Sequence, residues 1–458
     1  MKKNEGNTFS VNTPQIEELA EICKKNNNIE PESFAKYNVK RGLRDEKGQG
    51  VLTGLTEIAE VKGYTIDEYE LVPCPGQLFY RGYNVEDLTK GFFSEHRFGF
   101  EEITYLLMFG QLPDQEQVES FSRILGEYRE LPTNFVRDVV LKAPSKDMMN
   151  TLMRSILTLY AYDDNPDDTS VQNVLRQCLQ IIAVTPLLAV YGYHAYQHYN
   201  LDRSLVIHQP KPELSMAETI FQMLREDGKY TKLEARILDL CLVLHADHGG
   251  GNNSAFTTRV VTSTMTDTYS SMAAALASLK GPRHGGANIK VVSMMGYMMD
   301  HIQDWNDDDE IKAMLLKILG RKCFDREGLI YGVGHAVYSI SDPRAKILKI
   351  FTERLAKVKG CEDQFNFYKK IEELAPEVIM SKRHRSREKM CVNVDFYSGF
   401  VYKMLGLPIE LYTPIFAIAR MSGWSAHRLE EIVTGSKIIR PAYKSVSKHS
   451  EYVPLKDR

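Results

Sequence analysis

The sequence has no CxxC pair, no apolar run of membrane-spanning length, no basic leader and no large excess of charge. Its seven cysteines (Cys23, Cys74, Cys178, Cys241, Cys323, Cys361 and Cys391) are odd in number and widely scattered. That pattern argues against a disulfide framework and suits a reducing compartment. Residues 1–10 are polar, lacking both the apolar core of a signal peptide and the Arg-rich amphipathic character of a transit peptide. A cytoplasmic location is the expectation. The most apolar stretch, residues 181–193, contains Thr185 and Pro186 and is shorter than a bilayer crossing requires, so it reads as a buried helix and no membrane partner is expected. A formal net charge of −3 argues against a general polyanion binder, and no nucleic-acid partner is expected. Any anion must be held by locally placed Arg and Lys.

What is present reads as a large globular chain. With 458 residues, 43% of them hydrophobic and 26% charged, it can bury an extensive core in two or three domains. Residues 15–25 have helical character, and residues 48–80, rich in Gly, Thr, Val and Tyr, read as short strands and turns. Beyond residue 98 helical spacing dominates. Leu233, Ile237, Leu240, Cys241 and Leu244 form one apolar stripe, and the Ala-rich residues 270–279 stop at Gly281-Pro282. Further helices are predicted over 114–129, 147–160, 308–319, 343–357 and 411–427. Nothing alternates as a parallel α/β sheet would. The fold class expected is mainly α, with a little β near the N-terminus.

Four clusters carry candidate chemistry. In Leu244-His245-Ala246-Asp247-His248-Gly249-Gly250-Gly251, the two histidines share a face if the last turn of the helix persists, and the glycines admit a ligand close to the backbone. Zinc binding is one reading, although the motif is not HExxH and has no nearby Cys/His partners. A structural role is expected for His245 and a substrate hydrogen bond for His248. In Gly281-Pro282-Arg283-His284-Gly285-Gly286-Ala287-Asn288, His284 stands before a new helix, whose positive end disfavours imidazolium. A neutral His284 can donate to an oxygen gaining negative charge during enolisation, or it can simply occupy a turn.

The third cluster, Gly332-Val333-Gly334-His335-Ala336-Val337, lacks the third glycine of a dinucleotide fingerprint. With Asp342-Pro343-Arg344 it suits a carbonyl polarised by His335 and a carboxylate gripped by Arg344; a turn His and a surface Arg are the alternative. In Asn393-Val394-Asp395-Phe396-Tyr397-Ser398-Gly399, Asp395 is either a helix cap or, if partly buried, a general base working near neutral pH. Arg420, after an apolar run, and Arg440, before Pro441, each need an anionic partner, either an internal carboxylate or a bound dicarboxylate. The basic run Lys382, Arg383, His384, Arg385, Arg387 and Lys389 is either a solvated face or a dock for phosphate groups.

The order and wording of these clusters closely resemble the citrate synthase family. The resemblance runs from about Gly76 (Gly-Gln-Leu-Phe-Tyr-Arg-Gly-Tyr-Asn-Val) to Tyr443, and is most specific in LHADH, GPRHGGAN, GVGHAVY…DPRA, NVDFYSG, FAIAR and KIIRPAY. It implies a two-domain helical homodimer: an N-terminal segment 1–75 with short strands, a large domain 76–284, a small domain 285–400 closing over the site, and a return to the large domain over 401–458. It implies an acyltransferase of the citrate (Si)-synthase type, converting acyl to alkyl on transfer, with acetyl-CoA and oxaloacetate as substrates and a place in the tricarboxylic acid cycle. By that resemblance Asp395, His284 and His335 are catalytic. His248, Arg344 and Arg420 hold oxaloacetate, and Arg440 acts across the dimer interface. Val333, Gly334, Lys382, Arg383 and Lys389 are the expected CoA contacts. No metal and no cofactor are implied.

Two positions depart from the family pattern. Ser339 stands where many relatives carry Lys or Arg, and Val392 where Pro is usual. Competing readings are a 2-methylcitrate synthase acting on propionyl-CoA, the related module of a citrate-cleaving lyase (for which no P-loop is present), and a non-catalytic or metal-binding helical protein.

Overall fold

The computed structural model describes all residues except 1–9, 11, 46–48, 68–69, 384–389 and 436; at 66–67, 70–71 and 383 it describes only the backbone. Seventeen α-helices and one small sheet are present among the described residues. The predicted helices appear as Pro14–Asn26, Gln115–Glu127, Met148–Leu159, Asp308–Leu319, Pro343–Lys359 and Tyr412–Thr434. Capping residues set many of the starts: Asp114, Ser215 and Thr231 each form a capping box, and Asp307 and Asp342 cap through their carboxylates. The Ala-rich helix, Thr268–Lys280, ends as expected, but Gly281 has φ −56° and ψ 138° and is no left-handed cap. Pro282, which disfavours helical ψ at the residue before it, stops the helix.

The core centres on two long helices, Val171–Leu201 and Tyr412–Thr434, which pack against each other. The first spans 31 residues and is apolar and long enough to cross a membrane. Length therefore does not rule out a span here, contrary to the expectation from residues 181–193 alone. Burial explains its composition instead, since 83% of its most apolar window lies inside the protein. Pro186 sits within it, and the neighbouring Thr185 hydroxyl donates to the Ile181 carbonyl at 2.5 Å. Tyr412–Thr434 also contacts Phe100–Phe109, Lys232–His245, Asn253–Thr262 and Thr268–Lys280. The helices Ala287–His301, Asp308–Leu319, Pro343–Lys359, Glu362–Arg383 and Val394–Met404 pack chiefly among themselves.

The β structure is longer than short strands. β1 (Ala59–Asp67) and β2 (Glu70–Tyr80) form an antiparallel hairpin, and β3 (Tyr83–Asn84) pairs with β2. The register breaks between Lys62 and Tyr64, which pair with Gln77 and Pro73 respectively. Gly63 and residues 74–76 are thus left outside the ladder, as in a β-bulge, and Gly63 and Gly76 face the loop that follows Gly334.

Candidate active site

The helix Lys232–His245 ends at His245, with Ala246 as its cap, so the two histidines do not share a helical face. They point to different environments. His245 is fully buried and stacks on Phe416 with ring centroids 4.3 Å apart, while its carbonyl accepts from Arg420 Nε at 2.7 Å. His248 lies in the following turn, 5.2 Å from the ring of His335 and 5.6 Å from that of Tyr338, with its Nε2 buried and unpartnered.

That turn is clamped from behind. Buried Asp247 accepts from the Gly249 N–H at 2.7 Å and faces His427 Nε2 at 3.1 Å. His427 Nδ1 accepts from Arg259 Nη2 at 2.9 Å, so its proton sits on Nε2 and points at Asp247. Arg259 in turn bonds Glu430 and, at 3.0 Å, Glu431. Burial alone would raise the Asp247 pKa, but His427, Arg420 and the Gly249 N–H hold it below the usual carboxylate value. Gly249 has φ +78°, a conformation that only glycine adopts without strain.

His284 is set by a different contact. The Gly285 N–H bonds the Leu279 carbonyl at 2.9 Å, and the Thr413 hydroxyl donates to the Gly285 carbonyl at 3.1 Å. His284 Nε2 lies 3.4 Å from Ser254 Oγ, which also accepts from Trp424 Nε1 at 3.1 Å. The single hydroxyl proton of Ser254 then goes either to Asn252 Oδ1 at 2.8 Å or to His284. Directed at Nε2, it leaves the ring hydrogen on Nδ1, facing away from Ser254. Burial, and then the charge on Arg420, push the His284 pKa down to about 4. The imidazole is therefore neutral, with desolvation the chief cause.

A short antiparallel connection joins the third and fourth clusters. Val333 pairs with Val392, the Gly334 N–H donates to the Cys391 carbonyl at 2.7 Å, and the Asn393 N–H donates to the Gly332 carbonyl at 2.9 Å. Residues some sixty positions apart thus bring the loop that carries His335 beside the start of the helix that carries Asp395. Nδ1 of His335 accepts from the backbone N–H groups of Val337 at 3.0 Å and Tyr338 at 3.1 Å, which puts the ring proton on Nε2. Burial, and then Arg344, lower the His335 pKa to about 4. Arg344 Nη2 approaches that Nε2 at 3.5 Å. Two donors face each other there, a contact that an oxygen seated beside both would satisfy.

Arg344 has an internal partner as well. Asp342 takes its Nε at 3.0 Å and Nη2 at 2.7 Å, caps its helix, and accepts the Val394 N–H at 3.2 Å. Among the described residues no carboxylate bonds Arg420; its Nη1 is buried without a partner there, and burial lowers its pKa to about 10, Asp247 countering and Arg344 adding to that fall. Asp395 is the second residue of the helix Val394–Met404 and does not cap it, since Asn393 does. Burial raises its pKa to about 6 against the pull of Arg344 and Arg420, with Asp342 adding to the rise. His248 lies within electrostatic reach of Arg344, His335, Arg420 and His284, and burial first and these neighbours second keep it neutral.

The structure thus gathers His248, His284, His335, Arg344, Asp395 and Arg420 into one cluster. Arg440 is not among them: it is exposed in the extended C-terminal tail, where the neighbouring Ile439 N–H bonds Ser263 Oγ. Of the expected CoA residues, Val333 and Gly334 form the connection beside His335, and Lys382 is exposed at the end of Glu362–Arg383. Lys389 and the Arg383 side chain lie outside the described residues, as does most of the basic run. Among the described residues no group of three His, Cys, Asp or Glu is placed to hold a metal. Sequence reading passed over Asp342, Ser254, Trp424, Tyr338 and the Asp247–His427–Arg259 chain. Asp247, Asp342 and Tyr338 stand inside the quoted motifs, so their positions, though not their partners, were in view.

A mainly helical chain that buries two arginines and sets three half-buried, neutral histidines near one raised carboxyl is built to hold a small anion and shift protons beside it. A family model described as citrate synthase, C-terminal domain, matches residues 47–442. Citrate synthase of Haloferax volcanii is 33% identical over 92% of this chain and 99% of that protein. The 2-methylcitrate synthase of Shewanella oneidensis is 30% identical over 83% of this chain and 92% of its own. A ternary complex of Thermoplasma acidophilum citrate synthase with carboxymethyl coenzyme A and oxaloacetate superimposes with a TM-score of 0.73 at 26% identity, covering 92% of this chain and 99% of that one. The chain belongs to the citrate synthase family, and is a condensing acyltransferase of that family.

Proposed function

We propose that this enzyme condenses acetyl-CoA with oxaloacetate and water, giving citrate and CoA. The observation that carries the reading is a set of unspent polar groups gathered about Arg344 and Arg420, both within electrostatic reach of the raised carboxyl of Asp395: Arg420 Nη1 and His248 Nε2, each buried and unpartnered, and His335 Nε2 facing Arg344. Oxaloacetate offers two carboxylates and a ketone to such a set. Arg344, Arg420 and His248 hold the carboxylates, while His335 donates to the ketone oxygen and polarises it. Asp395 removes a proton from the acetyl methyl group as His284 donates to the thioester oxygen, giving an enol or enolate whose carbon attacks the ketone. Water then releases CoA from citryl-CoA.

In this reading residues 285–400 form a small domain that closes on oxaloacetate and completes the acetyl-CoA site. Val333, Gly334 and Lys382 are the described CoA contacts, and Ser339, its hydroxyl buried without a partner, supplies no charge to the phosphates. A second copy of the chain supplies Arg440; its exposed place in an extended tail, with Tyr443 and Tyr452 also exposed, supports a role outside its own subunit. Mixing inactive Arg440→Ala and Asp395→Asn chains should then restore activity, and no restoration would put Arg440 outside the site.

The acyl group is the finer point, because 2-methylcitrate synthases are among the relatives. One methylene in an acyl pocket is worth about 1–3 kcal/mol. Thiol release from acetyl-CoA and from propionyl-CoA, each with oxaloacetate, tests the proposal. Higher kcat/KM with acetyl-CoA supports it, a strong preference for propionyl-CoA replaces the substrate, and no release from either overturns the reaction.

A further inference from the structure

Tyr338 is buried to 1% exposure, and it links the N-terminal hairpin to His335. Its ring stacks on that of His335 with centroids 4.6 Å apart and planes at 27°, and its backbone N–H is one of the two donors to His335 Nδ1. Its hydroxyl donates to the Gln77 carbonyl on β2 at 3.3 Å. Its ring also meets His248 edge-on and lies 5.9 Å from the Arg344 guanidinium.

The hairpin approaches this loop backbone to backbone at its irregular point. The Gly76 N–H donates to the Ser341 carbonyl at 3.1 Å. A Cβ on Gly76 would stand 2.1 Å from that oxygen and 2.5 Å from the Tyr338 ring, and one on Gly63 would stand 2.5 Å from the Val337 carbonyl. Such distances leave no room for any side chain. The broken register between Lys62 and Tyr64 frees the Gly76 N–H for this contact. The hairpin is therefore fitted to residues 337–341 rather than merely near them.

We propose that Tyr338 is a positioning residue for the condensation, holding His335 in its neutral Nε2–H form by stacking on it while the Gly63–Gly76 bulge of the hairpin anchors Tyr338. The inference rests on the role proposed above for His335. Its physical content is specific. A proton added at Nδ1 would oppose the N–H groups of Val337 and Tyr338, so His335 works only while Nδ1 remains an acceptor. The groups facing this imidazole are Arg344, Asp342, Arg44 and His248. The buried Tyr338 ring covers one face of it and excludes water there.

The test compares Tyr338→Phe and Tyr338→Leu with the wild type, by kcat and by nitrogen-15 NMR of labelled histidine, with folding checked by thermal melting. Tyr338→Phe keeps the stack and loses the Gln77 bond; a several-fold fall in kcat is expected, with the His335 titration at its wild-type position. Tyr338→Leu removes the stack; kcat should fall by ~10²-fold, as for a slightly displaced reacting group, and the His335 midpoint should move up from about 4 toward the ordinary histidine value. A folded Tyr338→Leu enzyme with wild-type kcat and an unmoved titration overturns the proposal. If that variant does not fold, an undiminished kcat in Tyr338→Phe overturns it. Failure of the wild type to release CoA would strike the proposed reaction instead, and the His335 titration would still report whether Tyr338 holds the ring.

Discussion

Replacing Asp395 by Asn should make the protein more stable and nearly inactive, both because the carboxyl is largely desolvated. Burial raises its pKa from 3.8 to about 6. Each tenfold change in proton affinity is worth ~1.4 kcal/mol, so a rise of this size corresponds to ~3 kcal/mol; Asp395 is only half-buried, and solvent screening leaves ~1–2 kcal/mol. The sign follows from linkage. Below pH ~4 the group is protonated in both folded and unfolded chains and costs nothing. As the pH rises through about 6 the folded protein must ionise a carboxyl that the unfolded chain has already ionised, and stability is lost. Asn carries no such charge. Denaturant unfolding should therefore favour Asp395→Asn by ~1–2 kcal/mol at about pH 7.5, with the gain shrinking at about pH 5. In the same variant, turnover by CoA release should fall at least 10²- to 10⁴-fold, the usual worth of a general base, while calorimetry shows oxaloacetate binding largely retained. The wild-type rate should rise with pH through about 6 as Asp395 ionises. A variant less stable than wild type at pH ~7.5 would refute the burial argument, and near-normal turnover would assign the proton to another group.

Arg420→Met removes a buried cation with an unpartnered Nη1; oxaloacetate binding should weaken by ~2–5 kcal/mol in calorimetry, and unchanged affinity would remove Arg420 from the anion site. Asp342→Ala strips Arg344 of its buried carboxylate and the Val394 N–H of its acceptor, so urea unfolding should show a loss of ~3–5 kcal/mol. Gly423→Ala puts a Cβ 2.4 Å from both the Ala246 carbonyl and Asp247 Oδ2. It should destabilise by ~1–3 kcal/mol and weaken oxaloacetate binding by moving the turn that carries His248; a neutral result in both would show that the helices can part there without cost.

Helical spacing located the apolar stripe of Lys232–His245 and several further helices well, because burying one face demands a repeat that is written locally. The same reasoning put His245 and His248 on one face on condition that the last turn persisted, and the condition is not met, since the helix stops at Ala246. Nothing local announces that stop, which is held by Tyr80 bonding the carbonyls of Val243 and Asp247 and by His427 facing the Asp247 carboxylate. The length limit applied to residues 181–193 found a buried helix but not its extent, since the flanking turns of the 31-residue helix carry polar residues and fall outside the most apolar stretch.

Residue chemistry is intrinsic to the chain. The sequence by itself determined that a helical protein would carry loop histidines, an isolated aspartate and arginines in need of an anion, and it marked His284, His335 and Asp395 as the groups to watch. Only the tertiary structure decided their states. It made His335 a neutral Nε2 donor through the Val337 and Tyr338 N–H groups, raised Asp395 toward neutrality by burial, and left Arg420 with a bare Nη1 while giving Arg344 the carboxylate of Asp342. Protonation and pairing depend on desolvation and on partners far away in the chain, and those exist only once the helices have packed.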